Sequence, residues 1–553
     1  MRVDKIVKNA RIFTADKRCP KATAFAVKDG KFVYVGGEDG LAAYEGEVTD
    51  YGGKFVMPDI IDSHVHISIG VGVAFTDTGV YAEGENKKEV LDFIEGYIKE
   101  NPGQERYRFQ LERDCLGDEN IVKEELDAIC ADSEILIVEL EAHSIWVNSK
   151  ILEKHKITDD TPDIIPGHSY YVRKDGHVTG NIYEFASWRI IFDHLKVLSD
   201  EQIEAAVMHW IGDSLDYGVS CVFDAGFPEH EELHERVYEC LRNLDKQGKL
   251  PVYVDGCYVL TRPENMRKAI EETKRFRREY NSEHFKVHTL KIFMDGTLKI
   301  QTAALVTPYE DTGAVGATTF EKEDIAEILK LLNEEGLDLH VHTVGERASR
   351  IILDGVELAK KELGDNFHVK VTCAHLEIQD DADLDRFAKL GVFADFTPWW
   401  HAGNIGGTPL LTWQYLLGDK RAHSMYRCKT LWDTGATVTF SSDEVYFGYN
   451  WNPFLGMEVG MTRCITENTR AYDFAITAEA FPPEKEKMDI EEMMLGYTIN
   501  GAKQLGIDES KGSIEVGKDA DFLVFEDDLL AAEHEGFSNN SPCEMYICGE
   551  KIK

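Results

Sequence analysis

The chain has 553 residues, long enough for a large barrel with a second domain and an insertion. Sixty basic against 100 acidic residues leave a net charge of −40, which repels polyanions and argues against nucleic acid or an anionic membrane surface as a partner. Hydrophobic residues make up 43% without any run near the roughly 20 apolar residues of a membrane span, and the 11 cysteines are scattered with no CxxC pair, against a disulfide framework or structural zinc site.

The N-terminus, MRVDKIVKNARIFTADKR, alternates like a strand and lacks the apolar run of a secretory signal, so a cytoplasmic protein is expected. Residues 1–55 read as turn-linked strands, as do GSIEVGKDADFLVFEDD and CEMYICGEKIK within residues 510–553, which invites one β-sandwich built from both termini. Between them, residues 56–509 alternate apolar runs with amphipathic stretches in the manner of an α/β, TIM-like (β/α)8 barrel. Eight barrel strands are expected: Phe55–Ile67, Val219–Ala225, Val252–Leu260, Val287–Met294, Leu337–Thr343, Lys370–Leu376, Val392–Thr397 and Thr437–Asp443. A ninth candidate, Ile135–Leu140, falls in residues 70–195, too long for a crossover and read as an inserted subdomain after the first strand. A helix is expected at Glu491–Leu505.

The strongest chemical signal is DSHVH, where His64 and His66 are two apart at the end of an apolar run and so project from one face of a strand. An isolated HxH can merely decorate a half-exposed strand. Here, however, His340 and His342 end the fifth expected strand, His375 ends the sixth and Asp443 ends the eighth, the end at which barrels carry their active sites. Independent core histidines would not gather at one rim, although His340 alone could be a satisfied structural residue. Lys291, inside the apolar run HTLKIFMDG, needs a partner or a modification. A salt bridge to a nearby acid would meet that need. So would a carbamate formed from carbon dioxide, whose two oxygens could bridge a pair of metals.

In this order the residues resemble the amidohydrolase superfamily, and more closely the family-3 amidohydrolases, which include N-substituted formamide deformylase and other metal-dependent hydrolases. The matching segments run the length of the chain: FVMPDIIDSHVH, HSIWVNS, GHVTGNIYEFA, GVSCVFDAG, LKIFMDGTLKIQTAAL, HVHTVGERA, AHLEIQDDADLDRFAKLGV, GATVTFSSD and GSIEVGKDADFLVF. The resemblance implies a distorted barrel with a terminal sandwich. It also implies one or two divalent ions, zinc being the expected metal, on His64, His66, Lys291, His342, His375 and Asp443, with His342 the ligand and His340 behind it. Glu184 and Asp295 fall in shared segments and are expected to line the site or stand behind it, Glu184 bridging the metals if Lys291 is unmodified. Two positions depart from the pattern: Asp59 stands for the glycine after the proline, and Glu346 for the aspartate of the fifth-strand motif.

The activity so implied is hydrolysis of a C–N bond in a small molecule, an amide or formamide, by metal-activated hydroxide. Deamination of an aminated heterocycle and a non-catalytic scaffold are the rival readings. Asp443 would move the proton, and His143 and His375 would steady the oxyanion, although His143 could equally cap the insertion. Trp399 and Trp400 would wall the substrate or only pack a lid. A homodimer is the family-level expectation.

Overall fold

The computed structural model describes residues 1–553 except 77–78, 118, 141, 194–197, 229, 403–409, 445–451, 465 and 467–479. The chain opens with β1 (Arg2–Lys8), β2 (Arg11–Phe13), β3 (Lys21–Ala22), β4 (Ala24–Lys28), β5 (Lys31–Gly36) and β6 (Glu45–Asp50). The apolar run that reads as one barrel strand from Phe55 to Ile67 is instead two strands, β7 (Phe55–Pro58) and β8 (Ile60–Val65). Pro58 has no N–H to continue a ladder, and at the break β7 pairs with β2 while β8 passes to the barrel beside Val219–Asp224. Asp59, buried at this junction, accepts a hydrogen bond from the Ser220 hydroxyl.

The insertion forms its own six-stranded sheet from β9 (Val80–Tyr81), β10 (Arg106–Leu111), β11 (Glu134–Glu139), β12 (Ser144–Val147), β13 (Tyr171–Lys174) and β14 (His177–Tyr183). Its spatial order is β13-β14-β12-β11-β10-β9, and the ninth candidate strand of the sequence is β11. Phe109, Ile135 and Trp146 anchor a core separate from that of the barrel.

The barrel continues through β15 (Val219–Asp224), β16 (Tyr253–Leu260), β17 (Phe285–Phe293), β18 (Asp338–Thr343), β19 (Val371–His375), β20 (Phe393–Phe396) and β21 (Val438–Phe440). With β8 these make an eight-stranded parallel sheet in the order β21-β20-β19-β18-β17-β16-β15-β8. It curls into a distorted TIM barrel whose two ends meet at the rim: Ser63 Oγ donates to Phe440 O at 2.8 Å, and the Asp443 N–H to His64 O at 2.9 Å. Residues 490–505 back this seam, as a helix that includes a π turn at Gly496–Asn500. The side of Gly496 must be bare, because a Cβ there would lie 2.2 Å from the Phe440 ring. Further along, Gln504 Nε2 donates to Ser63 O at 2.9 Å.

The chain ends with β22 (Phe522–Phe525), β23 (Glu544–Ile547) and β24 (Glu550–Lys551). Because β22 pairs antiparallel with β7, the sheet β24-β23-β22-β7-β2-β3 draws on both ends of the chain, beside a second sheet β5-β4-β1-β6. The two share one apolar cluster, in which the Phe522 ring lies 5.0 Å from Phe25 edge-on and stacks on Tyr546 at 4.4 Å. Among the described residues no helix is long and apolar enough to cross a membrane.

Since Phe522 is fully buried between strands from distant parts of the chain, Phe522→Ala is expected to lower the unfolding free energy by about 3–5 kcal/mol. An unchanged urea midpoint would show that the sheets do not depend on this core.

Candidate metal centre

His64 on β8 and His66, one residue past the end of that strand, project to the same side, and their Nε2 atoms lie 3.3 Å apart. Asp443 closes on both, with Oδ1 at 3.4 Å from each of these nitrogens. Lys291 Nζ, wholly buried on β17, lies 3.3 Å from His64 Nε2. His375, at the end of β19, brings Nδ1 to 3.8 Å from Asp443 Oδ2 and its ring to 4.9 Å from that of His64. His342 adjoins this group through His375, with ring centroids 4.6 Å apart, while its Nε2 faces Gly296 O at 3.4 Å.

His340 sits on the inner side of the same histidine. Its Nε2 is 2.9 Å from His64 Nδ1, and its ring stacks on Phe223 at 4.3 Å. Asp395, a residue the sequence analysis passed over, lies below with Oδ2 3.8 Å from His64 Nδ1. It accepts hydrogen bonds from Ser63, Thr439 and Ser441. A carboxylate inside the apolar run FADF carries the same kind of signal as Lys291. Asp62 was also missed: its Oδ1 accepts from the Ser442 N–H at 3.0 Å and so braces the loop that bears Asp443.

Burial, reinforced by the neighbouring Lys291 charge, holds the His64, His340 and His375 imidazoles well below their usual pKa and His66 down to about 3. These rings are therefore neutral. His66 Nδ1 must donate its hydrogen to Gly226 O, 2.7 Å away, which leaves a lone pair on Nε2 aimed into the centre. Burial also lowers Lys291 to about 8 and pushes Asp443 up to about 6, the latter opposed by Lys291 and His143.

Backbone strain accompanies the convergence. His375 has φ 80° and Asp443 φ 50°, left-handed values that non-glycine residues rarely adopt. The eighth strand is shorter than its sequence suggests and stops at Phe440, so Asp443 is presented from a turn rather than from the strand.

The outer residues divide by partner. Trp400 stacks on His375 at 5.3 Å, and Trp399 Nε1 donates to Ser442 O at 2.7 Å, so the pair stands against the centre. Asp295 is buried and faces backbone: Oδ1 accepts from Val344 N, and Oδ2 from Ala304 N and Gly345 N, at 2.8–3.0 Å. It therefore ties together the loops that follow β17 and β18. Glu184 accepts from His143 Nδ1 at 2.8 Å and from Thr302 Oγ1 at 2.6 Å.

Residues 47–552 match the Amidohydrolase family. The chain belongs to this family. It is similar to the N-substituted formamide deformylase of Arthrobacter pascens, 25% identical over 555 residues that cover 95% of this chain and 94% of that protein. The exoenzymes regulatory protein AepA of Pectobacterium carotovorum subsp. carotovorum is 27% identical over 415 residues, 71% of this chain and 85% of that protein. In fold the chain resembles an uncharacterized metal-dependent hydrolase from Pyrococcus horikoshii, with a TM-score of 0.66 at 22% identity over 96% of this chain and 99% of the other.

The residues present fit the divalent ion that such hydrolases take. Among the described residues, one nitrogen or oxygen each from His64, His375 and Asp443 lies within 4.8 Å of the others, as holds also for His64, His340 and Asp395. Two buried atoms of the first group, His375 Nδ1 and Asp443 Oδ1, have no hydrogen-bond partner, a cost that a cation between them would remove.

Chelation is accordingly expected to lower the thermal midpoint and zinc to restore it, with about 2.7 kcal/mol gained at zinc concentrations 100 times the dissociation constant. A midpoint that responds to neither treatment would count against a preformed site.

Proposed function

We propose that this member of the family is a metal-dependent hydrolase that cleaves a carbon–nitrogen bond of a small molecule, with amides and formamides as the leading substrates. One observation carries the reading: neutral imidazoles, a buried amine and a carboxylate with an orphaned oxygen converge at the C-terminal rim of the barrel. The similarity to a formamide deformylase along nearly the whole chain supports the bond type.

His64, His66, His342, His375 and Asp443 would hold a divalent cation, which would supply Lewis acidity that polarises a carbonyl and makes water more acidic. The rest falls to side chains. Asp443 faces both HxH nitrogens, so it can take the proton that water gives up on attacking the carbonyl carbon. The same carboxyl, pushed by burial to about 6, returns that proton to the departing nitrogen, which cannot leave as an amide anion. Zinc suits the mixed nitrogen and oxygen donors.

Lys291 is the second element of the proposal. As an uncharged amine it would add to carbon dioxide: the Nζ–C bond forms as one C=O π bond opens onto oxygen, the nitrogen's proton passes to water, and a carbamate with two donor oxygens results. Two ions would then share the centre. Trp400, stacked beside His375, offers an apolar wall for the substituent on the scissile nitrogen. A net charge of −40 favours a neutral or cationic small molecule over nucleic acid or anionic lipid.

The test is a screen of N-formyl, N-acyl and carbamate compounds and aminoheterocycles against zinc-reconstituted protein. Release of formate or carboxylate is expected. Ammonia release from heterocycles alone would move the assignment to deamination, and no turnover in any class would sink it.

Asp443→Asn is expected to cut kcat by about 10²–10⁴-fold with the fold retained, because asparagine tolerates the left-handed backbone at this position. Near-wild-type turnover would remove the proton-carrying role. Lys291→Ala is expected to reduce bound zinc to one ion or none by elemental analysis, and unchanged stoichiometry would exclude the carbamate bridge.

A further inference from the structure

We infer that the barrel rim carries a second binding site, beside the metal centre and separate from it, for a free α-amino acid with an apolar side chain: Glu346 takes its ammonium group, and Lys420 and Lys485 take its carboxylate. This site does not depend on the C–N hydrolase reading above.

The site is a cavity of about 800 Å³, a volume in the range of small-molecule pockets. Part of its lining continues strands that reach the metal centre. Glu346 lies three residues past the end of β18 and opens the helix Glu346–Leu363, while residues 378–381 begin three positions past the end of β19. The helices Leu410–Leu417 and Asp419–Ala422 supply another part through Leu417, Asp419, Lys420 and Arg421. None of His64, His66, Lys291, His342, His375 and Asp443 lines the cavity, so it is not an annex of the metal centre.

Most acids in this lining already have a cation. Glu310 lies 3.7 Å from Arg421, Asp380 3.0 Å from Arg350, Asp381 2.9 Å from Arg427 and Asp419 3.4 Å from His423. Glu346 is the exception among the described residues. Its side chain is buried, its Oε1 accepts from the Thr307 N–H at 3.4 Å, and its Oε2 has no hydrogen-bond partner. Burial pushes this carboxyl above its usual range, against the N–H groups of Glu346, Thr307 and Val306 and the Arg421 charge. A buried acceptor without a partner is costly, and an ammonium group removes that cost with three N–H donors and a positive charge.

The unmatched cations are exposed. Lys420 and Lys485 both belong to the lining, and among the described residues neither forms an ion pair; Lys420 acts on Asp380 only at longer range. A ligand that answers both ends must therefore carry a cation for the buried acid and an anion for the exposed lysines. Ile378, Leu417 and Pro483 add apolar surface for an aliphatic side chain. An α-amino acid joins these three features in one small molecule, whereas a simple amine leaves the lysines unmet and a simple carboxylate sets its charge against Glu346. Among the described residues no three metal-donor atoms of this lining come within 4.8 Å of one another, which argues against a bare metal ion as the occupant.

The experiment titrates L-leucine into zinc-loaded, full-length protein by calorimetry, beside leucinamide, which lacks the carboxylate, and 4-methylpentanoate, which lacks the ammonium. One equivalent of leucine is expected to bind, with each analogue weaker by about 10-fold or more. Glu346→Gln is expected to weaken leucine by about 10–100-fold with zinc content and thermal midpoint little changed, and Lys420→Glu combined with Lys485→Glu by about 3–10-fold. Wild-type protein that binds no leucine at millimolar concentration would overturn the inference and leave the hydrolase reading untouched. Unchanged affinity in Glu346→Gln would place leucine at another site and overturn it as well. The paired lysine variant alters exposed side chains alone and so keeps the fold; wild-type affinity there, or leucinamide bound as tightly as leucine, would overturn the amino-acid assignment.

Discussion

A ring lone pair and a carboxylate oxygen that face one another in a dry site are the constraint on which the rest of the molecule depends. His66 is locked with its hydrogen on Gly226 O, so its Nε2 lone pair points at His64 Nε2 across 3.3 Å, with a carboxylate oxygen 3.4 Å from both. Such an arrangement is unfavourable without a cation and favourable with one, and it persists only if the surroundings hold it. The holding is visible layer by layer. Gly226 O orients one ring, His340 and Asp395 back the other, Asp62 braces the loop carrying Asp443, and the backbone at His375 and Asp443 is kept in left-handed conformations. Stability is spent here to preorganise the site.

The scaffold delivers that rigidity by making β8 the hinge of two structures. The chain leaves the terminal sheet at Pro58, turns at buried Asp59 and enters the barrel, so the strand that carries His64 and His66 is anchored at its start by a sheet built from both ends of the chain. At its other end β8 meets β21 through Ser63, His64 and Asp443, exactly where the barrel sheet must close. The π turn beneath this seam lets Gly496 approach Phe440 while Gln504 reaches Ser63 O. The metal-facing ends of the first and eighth strands are thus braced from below as well as across.

Much of this was legible in the sequence, for physical reasons. Apolar runs that must be buried on both faces read as barrel strands, and ionisable residues inside them, such as Lys291, stand out because burial without a partner is costly. The alternation of a strand put His64 and His66 together without any tertiary information. What stayed hidden depends on partners remote in sequence. The split of Phe55–Ile67 changes which sheet each half joins but not the apolar pattern. Asp395 carried the same signal as Lys291, yet its role needs the folded position of His64, and Asp295 resembles a site residue until the backbone N–H groups it binds are seen. Nothing local to Glu184 announces Thr302, which lies 118 positions away.

The insertion changes what kind of enzyme site this is. A barrel rim alone offers donors that converge from below on a cation and leaves the substrate side to mobile loops. Here a separate sheet, with its own core, meets the rim through Gly296, Thr302 and Glu184, all buried or closely packed. Chemistry and recognition are then partly separated. The geometry of a metal-binding rim is compatible with several leaving groups, whereas on the proposed reading Trp400 on one side and the insertion on the other would bound the substrate. Differences in substrate among proteins with this barrel are therefore expected to reside in those two walls more than in the donors between them.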